Sequence, residues 1–167
     1  MFCYAKRAMV TVKRLNHVVL FVRDLERSIA FYESAFGFET IARERGMMAF
    51  LRAPGSHNHH DLGLAAVGAA APSPPHGAVG LYHTAWEVER IEELREAMLR
   101  LSSSSALTGA SDHGATKSVY GVDPDGNEFE IMWLVPREHW GEYDRKAPTK
   151  TLDLEREIAR FGASATV

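Results

Sequence analysis

Apolar, largely β-branched residues fill "LNHVVLFV" (15–22) in a period-two pattern that predicts a strand. The period then lengthens. In "RDLERSIAFYESAFGF" Leu25, Ile29, Tyr32 and Phe36 recur at helical spacing, with Asp24 placed to cap the N-terminus and Gly37 the C-terminus. Short strands are expected over "ETIARERG" and "MMAFLRA", joined by a turn, and a third over "HHDLGLAAV". A small, proline-rich connector follows, "GAAAPSPPHGAVG" (68–80). Beyond it the order returns. "LYHTAWEV" (81–88) reads as a strand, "ERIEELREAMLRLSSSS" as an amphipathic helix, and "KSVYGVD" and "EFEIMWLV" as strands joined by the turn "DPDGN". A last helix is expected in "TLDLEREIARFG", ended by Gly162.

The two halves overlay without gaps. "LNHVVLFVRDLE" and "LYHTAWEVERIE" match Leu15 with Leu81, His17 with His83, Val22 with Val88 and Glu26 with Glu92, at a constant offset of 66 residues; Leu25 also falls on Ile91. This is the signature of a duplicated strand-helix-sheet unit and an α+β fold. The expected organisation is an extension over 1–11, a first unit over 12–67, the connector over 68–80, a second unit over 81–135, and a tail with its helix over 136–167.

Composition narrows the class without naming a chemistry. The 167 residues suit one domain, or two small modules sharing a core, and 46% hydrophobic with 25% charged residues is an ordinary soluble balance. A net charge of −3 speaks against nucleic acid or an anionic membrane as partner. The single cysteine, Cys3, excludes an internal disulfide framework and fits a reducing cytoplasm. The longest apolar run, "LGLAAVGAAAP", is about half of what spans a bilayer. The opening "MFCYAKRAMVTVKRL" lacks a continuous apolar core, so no signal peptide is expected; residues 1–8 read as a loose extension and Met9 as an alternative start.

Eight histidines change the picture, three of them inside "GSHNHHDLGL" (55–64). His17 and His83 each stand third in a strand, on the face of Leu15 and Val19 or of Leu81 and Ala85, which alternation assigns to the buried side. Two hydrogen-bonded core histidines would satisfy that placement. Equivalent positions in two related units favour instead a pair of imidazoles converging on a divalent metal. Glu130, between Phe129 and Ile131, supplies a carboxylate in a strand too apolar to hold it uncompensated; Glu128 shares its face but lies at the strand's start. The repeat offset takes position 130 back to Leu64, which cannot coordinate. Two histidines and one carboxylate leave open coordination positions, the arrangement of non-haem Fe(II) oxygenases, with Mn(II) also suited to the set.

These features resemble the vicinal oxygen chelate (glyoxalase/bleomycin resistance/dioxygenase) superfamily over about residues 12–135. Within it, the likeness is greatest to small, single-domain extradiol catechol 2,3-dioxygenases. The segment "HGATKSVYGVDPDGNEFE" carries the resemblance, with His113, Val119, Tyr120, Asp123, Pro124, Gly126 and Glu130 in register; Ser111, two before His113, departs slightly from the pattern. The resemblance implies two βαβββ modules forming a curved mixed sheet around Fe(II), with His17, His83 and Glu130 as ligands. It implies a catalytic acid and base at His60, or one step earlier at His59, and substrate-positioning roles for Tyr120 and His113. Sharing of one strand face by His60, Leu62 and Leu64 favours His60. His57 and His59 then read as solvated loop residues, His76 and His139 as exposed, and Asp61, Asp123 and Asp125 as turn residues.

The implied activity is cleavage of a catechol beside its diol by O2. Met47, Met48, Phe50 and Trp133 are candidates for an apolar wall around the ring, or for core. Three alternatives stand beside it. A glyoxalase-type isomerase or lyase would want a fourth protein ligand. A fosfomycin-type transferase would want basic residues near the metal, for which Lys117 is the candidate. A metal-free drug-binding protein would leave His17, His83 and Glu130 without a ligand. The tail helix and apolar sheet edges make a homodimer or higher homo-oligomer the expected assembly.

Overall fold

A computed structural model describes residues 10–75 and 77–162. Cys3, Met9 and His76, each the subject of an expectation, lie outside the described residues. The first unit runs β1 (Val18–Val22), α1 (Leu25–Phe36), β2 (Glu39–Glu44), β3 (Met48–Arg52) and β4 (Leu62–Ala66). The second runs β5 (His83–Val88), α2 (Glu92–Ser103), β6 (Leu107–Asp112), β7 (Thr116–Val122) and β8 (Glu128–Leu134), followed by two 3-10 turns, β9 (Lys150–Thr151) and α3 (Leu154–Phe161). The strands form two mixed sheets, ordered β1-β4-β3-β2 and β5-β8-β7-β6-β9, each with one parallel pair at its edge. Among the described residues no helix is long and apolar enough to cross a membrane.

The helix ends follow from their caps. The Asp24 side chain accepts the Arg27 amide, and Gly37 closes α1 at φ 70, a left-handed conformation open to glycine at little cost. Leu25, Ile29 and Tyr32 are buried as their spacing predicts, against Leu20, Val22, Leu51, Leu62 and Leu64 of the first sheet. Leu94, Ala97 and Leu101 of α2 pack likewise on Val119, Phe129, Ile131 and Trp133. Trp133 therefore belongs to the core, where its ring meets Phe161 of α3, and not to a substrate wall.

Both sheets bulge at the same place, between Thr40 and Ala42 in β2 and between Leu107 and Gly109 in β6. The register also corrects the fourth-ligand position. Val19 pairs with Gly63, and its counterpart Ala85 pairs with Glu130. Gly63, not Leu64, thus occupies the place of Glu130, because the second unit holds one extra residue between its first and last strands. The conclusion that this place offers no ligand is unchanged.

The face that carries the histidines is the open one, not the buried side expected from alternation. Leu20 and Val22 are buried, whereas Leu15, Val19 and Leu81 are 83%, 46% and 66% exposed. The helix covers one side of each sheet, so residues of the opposite parity face an uncovered surface. The pattern of apolar residues is uninformative here, since apolar side chains occupy both faces of β1.

The units are joined by side chains that read from sequence as turn residues only. The Tyr32 hydroxyl donates to Asp123 at 3.2 Å, and Asp125 accepts from the Arg23 guanidinium at 3.1 Å, from that of Arg27 at 2.6 Å and from the Arg23 amide at 2.9 Å. Beneath these bonds Phe31 and Phe36 of α1 pack on Phe129 of β8, with centroids 5.9 and 4.9 Å apart. Aromatic contacts of this kind add about 0.5–1.5 kcal/mol each beyond area burial. The connector is anchored through Arg23, which donates to the Ala71 carbonyl and the Ser73 hydroxyl.

Candidate active site

Parallel pairing of β5 with β8 sets His83 beside Glu128 and Ala85 beside Glu130, while antiparallel pairing sets Tyr120 of β7 opposite Glu130. On the uncovered face these strands bring three functional side chains into one line. His83 Nε2 lies 3.0 Å from Glu130 Oε2, and the Tyr120 hydroxyl lies 3.3 Å from Glu130 Oε1. His113, in the β6–β7 turn, places Nε2 2.8 Å from the Tyr120 hydroxyl and Nδ1 2.7 Å from the Pro148 carbonyl. This chain forms one wall of a cavity of about 680 Å³. Pro148 and Thr149 of the tail contribute to the site, although the sequence offers no pattern that would single them out.

The bonding pattern orders the protons. A carbonyl only accepts, so His113 Nδ1 carries a hydrogen toward Pro148. In the neutral ring Nε2 then accepts from Tyr120. With the ring protonated, Nε2 donates and the Tyr120 hydrogen is free to turn to Glu130. Burial, and then the negative charge of Glu130, push the Tyr120 phenol up to about 12, so at neutral pH it remains a donor.

His17 and His60 belong to the first unit. Both residues lie just before the strands expected to carry them: β1 begins at Val18 and β4 at Leu62. The segment before β4 is a loop built around Asp61, whose carboxylate accepts from the Ala53 amide, the Ser56 hydroxyl and the Asn58 side chain at 2.9, 2.8 and 2.6 Å. The strand-face argument for His60 therefore does not apply, since Leu62 and Leu64 point into the core. The ring is placed by the loop instead, 4.4 Å from the His17 ring and 5.0 Å from that of Phe50. Phe50 thus keeps its place near the candidate chemistry; Met47 is 58% exposed. Burial lowers the His60 pKa, and the His17 and His59 rings lower it further. His59 lies with Nδ1 3.0 Å from His60 Nδ1 and is exposed, as are His57 and His139.

His17 and His83 line a common second cleft, of about 360 Å³, from opposite sheets. His17 is exposed and its Nδ1 meets only the neighbouring Asn16 side chain, at 3.0 Å. Among the described residues no three His, Cys, Asp or Glu side chains already stand close enough to hold a metal. The donor chemistry nevertheless fits one. Glu130, 8% exposed, is a carboxylate in an apolar strand, and His83 presents Nε2 to it at 3.0 Å. A divalent cation between them would compensate the buried charge.

Lys117 lies on the opposite face of β7 from Tyr120. It is 4% exposed, with Nζ 2.5 Å from Asp112 and 3.4 Å from Glu157 of α3, so it is not available to the cavity. That removes the basic group expected for phosphonate binding.

A model of the Glyoxalase/Bleomycin resistance protein/Dioxygenase superfamily matches residues 14–131. Catechol-2,3-dioxygenase of Bacillus subtilis (strain 168) is 32% identical over 152 residues, covering 89% of this chain and 52% of that protein. Metallothiol transferase FosB of Lysinibacillus sphaericus (strain C3-41) is 28% identical, covering 73% of this chain and 83% of that protein. A glyoxylase/bleomycin resistance protein/dioxygenase domain from Frankia sp. EAN1pec superposes with a TM-score of 0.64 at 23% identity, over 79% of this chain and 99% of that one. The chain spans about half the length of the Bacillus protein.

Proposed function

The chain belongs to the glyoxalase/bleomycin resistance protein/dioxygenase superfamily, and from that premise we propose that it is an extradiol catechol dioxygenase. The reaction inserts both atoms of O2 into the substrate and breaks the ring carbon–carbon bond beside the diol, giving a ring-opened semialdehyde acid. The observation that carries this reading is the unbroken line of His113, Tyr120, Glu130 and His83 along one cavity wall. It joins a metal-type carboxylate and imidazole to a phenol and a second imidazole able to handle substrate oxygens.

His17, His83 and Glu130 are the residues that would hold the metal. Iron(II), or manganese(II), supplies the Lewis acidity that eases ionisation of a diol and the redox chemistry that O2 requires. His60, held neutral by its surroundings, accepts a substrate hydroxyl proton and returns it to the product oxygen. Tyr120 donates toward substrate oxygen, and His113, fixed by Pro148, sets the direction of that hydrogen. The competing reading within the superfamily, a phosphonate-modifying transferase, loses its candidate basic group, because Lys117 is committed to Asp112 and Glu157. The test is anaerobic purification, metal analysis, Fe(II) addition, and a screen of substituted catechols for coloured ring-fission products with oxygen uptake. Stoichiometric metal with no uptake on any catechol would overturn the proposal.

A further inference from the structure

The cavity beyond the His83–Glu130 line has a definite chemical character. Its lining includes the hydroxyl residues Thr108, Ser111, Thr116 and Thr149 together with Glu128. Among the described residues none of these four hydroxyls makes a side-chain hydrogen bond, and Glu128 has neither a hydrogen bond nor an ion pair. No lysine or arginine lines the cavity. Lys117 faces away into its buried pairs, and the Lys150 ammonium is engaged with the Tyr143 hydroxyl at 3.1 Å. The apolar candidates do not supply this wall, since Trp133 is core and Phe50 stands with His60.

Glu128 and Glu130 share one face of β8, two residues and therefore roughly 7 Å apart along the strand. Glu128 also stands directly beside His83 in the parallel β5–β8 register, so a diol held at Glu130 and His83 has Glu128 as its neighbour on the cavity lining.

We propose, resting on the dioxygenase reading, that Glu128 is a specificity-determining residue and that the substrate is a catechol bearing an ammonium group on a short 4-substituent. A carboxylate there meets Glu128 with no cation to offset it, and a plain alkyl group offers Glu128 no partner. An ammonium group supplies three donors for Glu128 and the threonine and serine oxygens.

The test compares four catechols of similar size, carrying 4-(2-aminoethyl), 4-(2-hydroxyethyl), 4-ethyl and 4-carboxymethyl groups. Two readouts are taken, kcat/KM of the iron-loaded protein and the anaerobic dissociation constant by calorimetry, with and without metal. The expected order is ammonium, hydroxyl, ethyl, carboxylate, with about tenfold or more between the first and last, the ratio that one charge-assisted hydrogen bond supplies. Glu128→Gln narrows the ammonium-to-carboxylate ratio, and Glu128→Lys inverts it, with thermal melts checking that both variants fold. Turnover of catechols with the ethyl or carboxymethyl compound preferred, or a ratio that ignores both substitutions, overturns the proposal and leaves the dioxygenase standing. Failure to bind or cleave any of the four overturns both.

Discussion

The Tyr120 hydroxyl stands 2.8 Å from His113 Nε2, and the other nitrogen of that ring is held 2.7 Å from the Pro148 carbonyl. One hydroxyl hydrogen therefore serves either His113 or Glu130. Tyr120→Phe removes that donor. We expect kcat to fall by about 10²-fold, the loss typical of one oriented donor, while metal content stays at the wild-type level. Turnover within twofold of wild type would reduce Tyr120 to a packing residue.

His60→Phe keeps the ring volume beside His17 and Phe50 but removes the base. Metal content is expected to be retained and kcat to fall by about 10² or more. Stopped-flow measurement under single turnover separates this from slow product release. His57→Phe, altering an exposed ring of the same loop, is the control and changes kcat little.

Metal removal tests the ligand set directly. Dialysis against a chelator is expected to abolish oxygen uptake and lower the melting temperature, with Fe(II) restoring both. A ligand present at 100 times its dissociation constant stabilises the fold by about 2.7 kcal/mol. His17→Ala, His83→Ala and Glu130→Gln should each lose the Fe(II)-dependent rise in Tm. A variant that keeps the full rise does not carry a ligand.

The docking of the two units is expected to be sensitive to acid. Burial opposes ionisation of Asp125, but the Arg23 amide and the Arg23 and Arg27 guanidiniums overcome it and hold the carboxyl below the usual range. A depressed folded-state pKa contributes stability that is complete above the unfolded value, about 3.9, and is lost as pH falls through the folded one. Asp125→Asn should therefore cost about 1–3 kcal/mol at neutral pH and flatten the stability profile below about pH 4. Urea melts across pH 3 to 7 provide the measurement, and an unchanged acid limb would refute the assignment.

Lys117, Asp112 and Glu157 tie the tail helix to the second sheet away from solvent. Lys117→Met leaves Asp112 without its cation and Glu157 with Arg156 alone, and should destabilise by about 3 kcal/mol. Lys117→Met combined with Asp112→Leu and Glu157→Leu should recover much of that loss, because an apolar replacement removes the stranded charges along with the pair. Chemical denaturation of both variants decides it. The catechol preference of the triple variant should match wild type, since these side chains face away from the cavity.

Much of this site can be read along the chain because its signals are local. Asp24, the spacing of Leu25, Ile29 and Tyr32, and Gly37 specify α1 within one stretch of backbone. The repeat of His17 in His83, and an acid flanked by Phe129 and Ile131, mark candidate ligands because metal-binding side chains in apolar strands conflict with their surroundings. β6 was harder to see, since "LTGASD" is small and polar, and its pairing with β7 rather than its composition makes it a strand. Asp123 and Asp125 conceal a second role for the same reason: turn chemistry explains them fully until α1 is seen to supply Tyr32 and Arg27, and the turn before it Arg23.

Periodicity, caps and duplication are properties of neighbouring residues, so most of the element order, the limits of α1 and the candidate ligands are legible along the chain. The choice of open face, the substitution of Gly63 for Leu64 as the partner of Glu130, the withdrawal of Lys117 and the entry of Pro148 and Thr149 all depended on long-range packing. Each turns on which surface the helix covers and how strands distant along the chain align, and side-chain alternation is symmetric with respect to both.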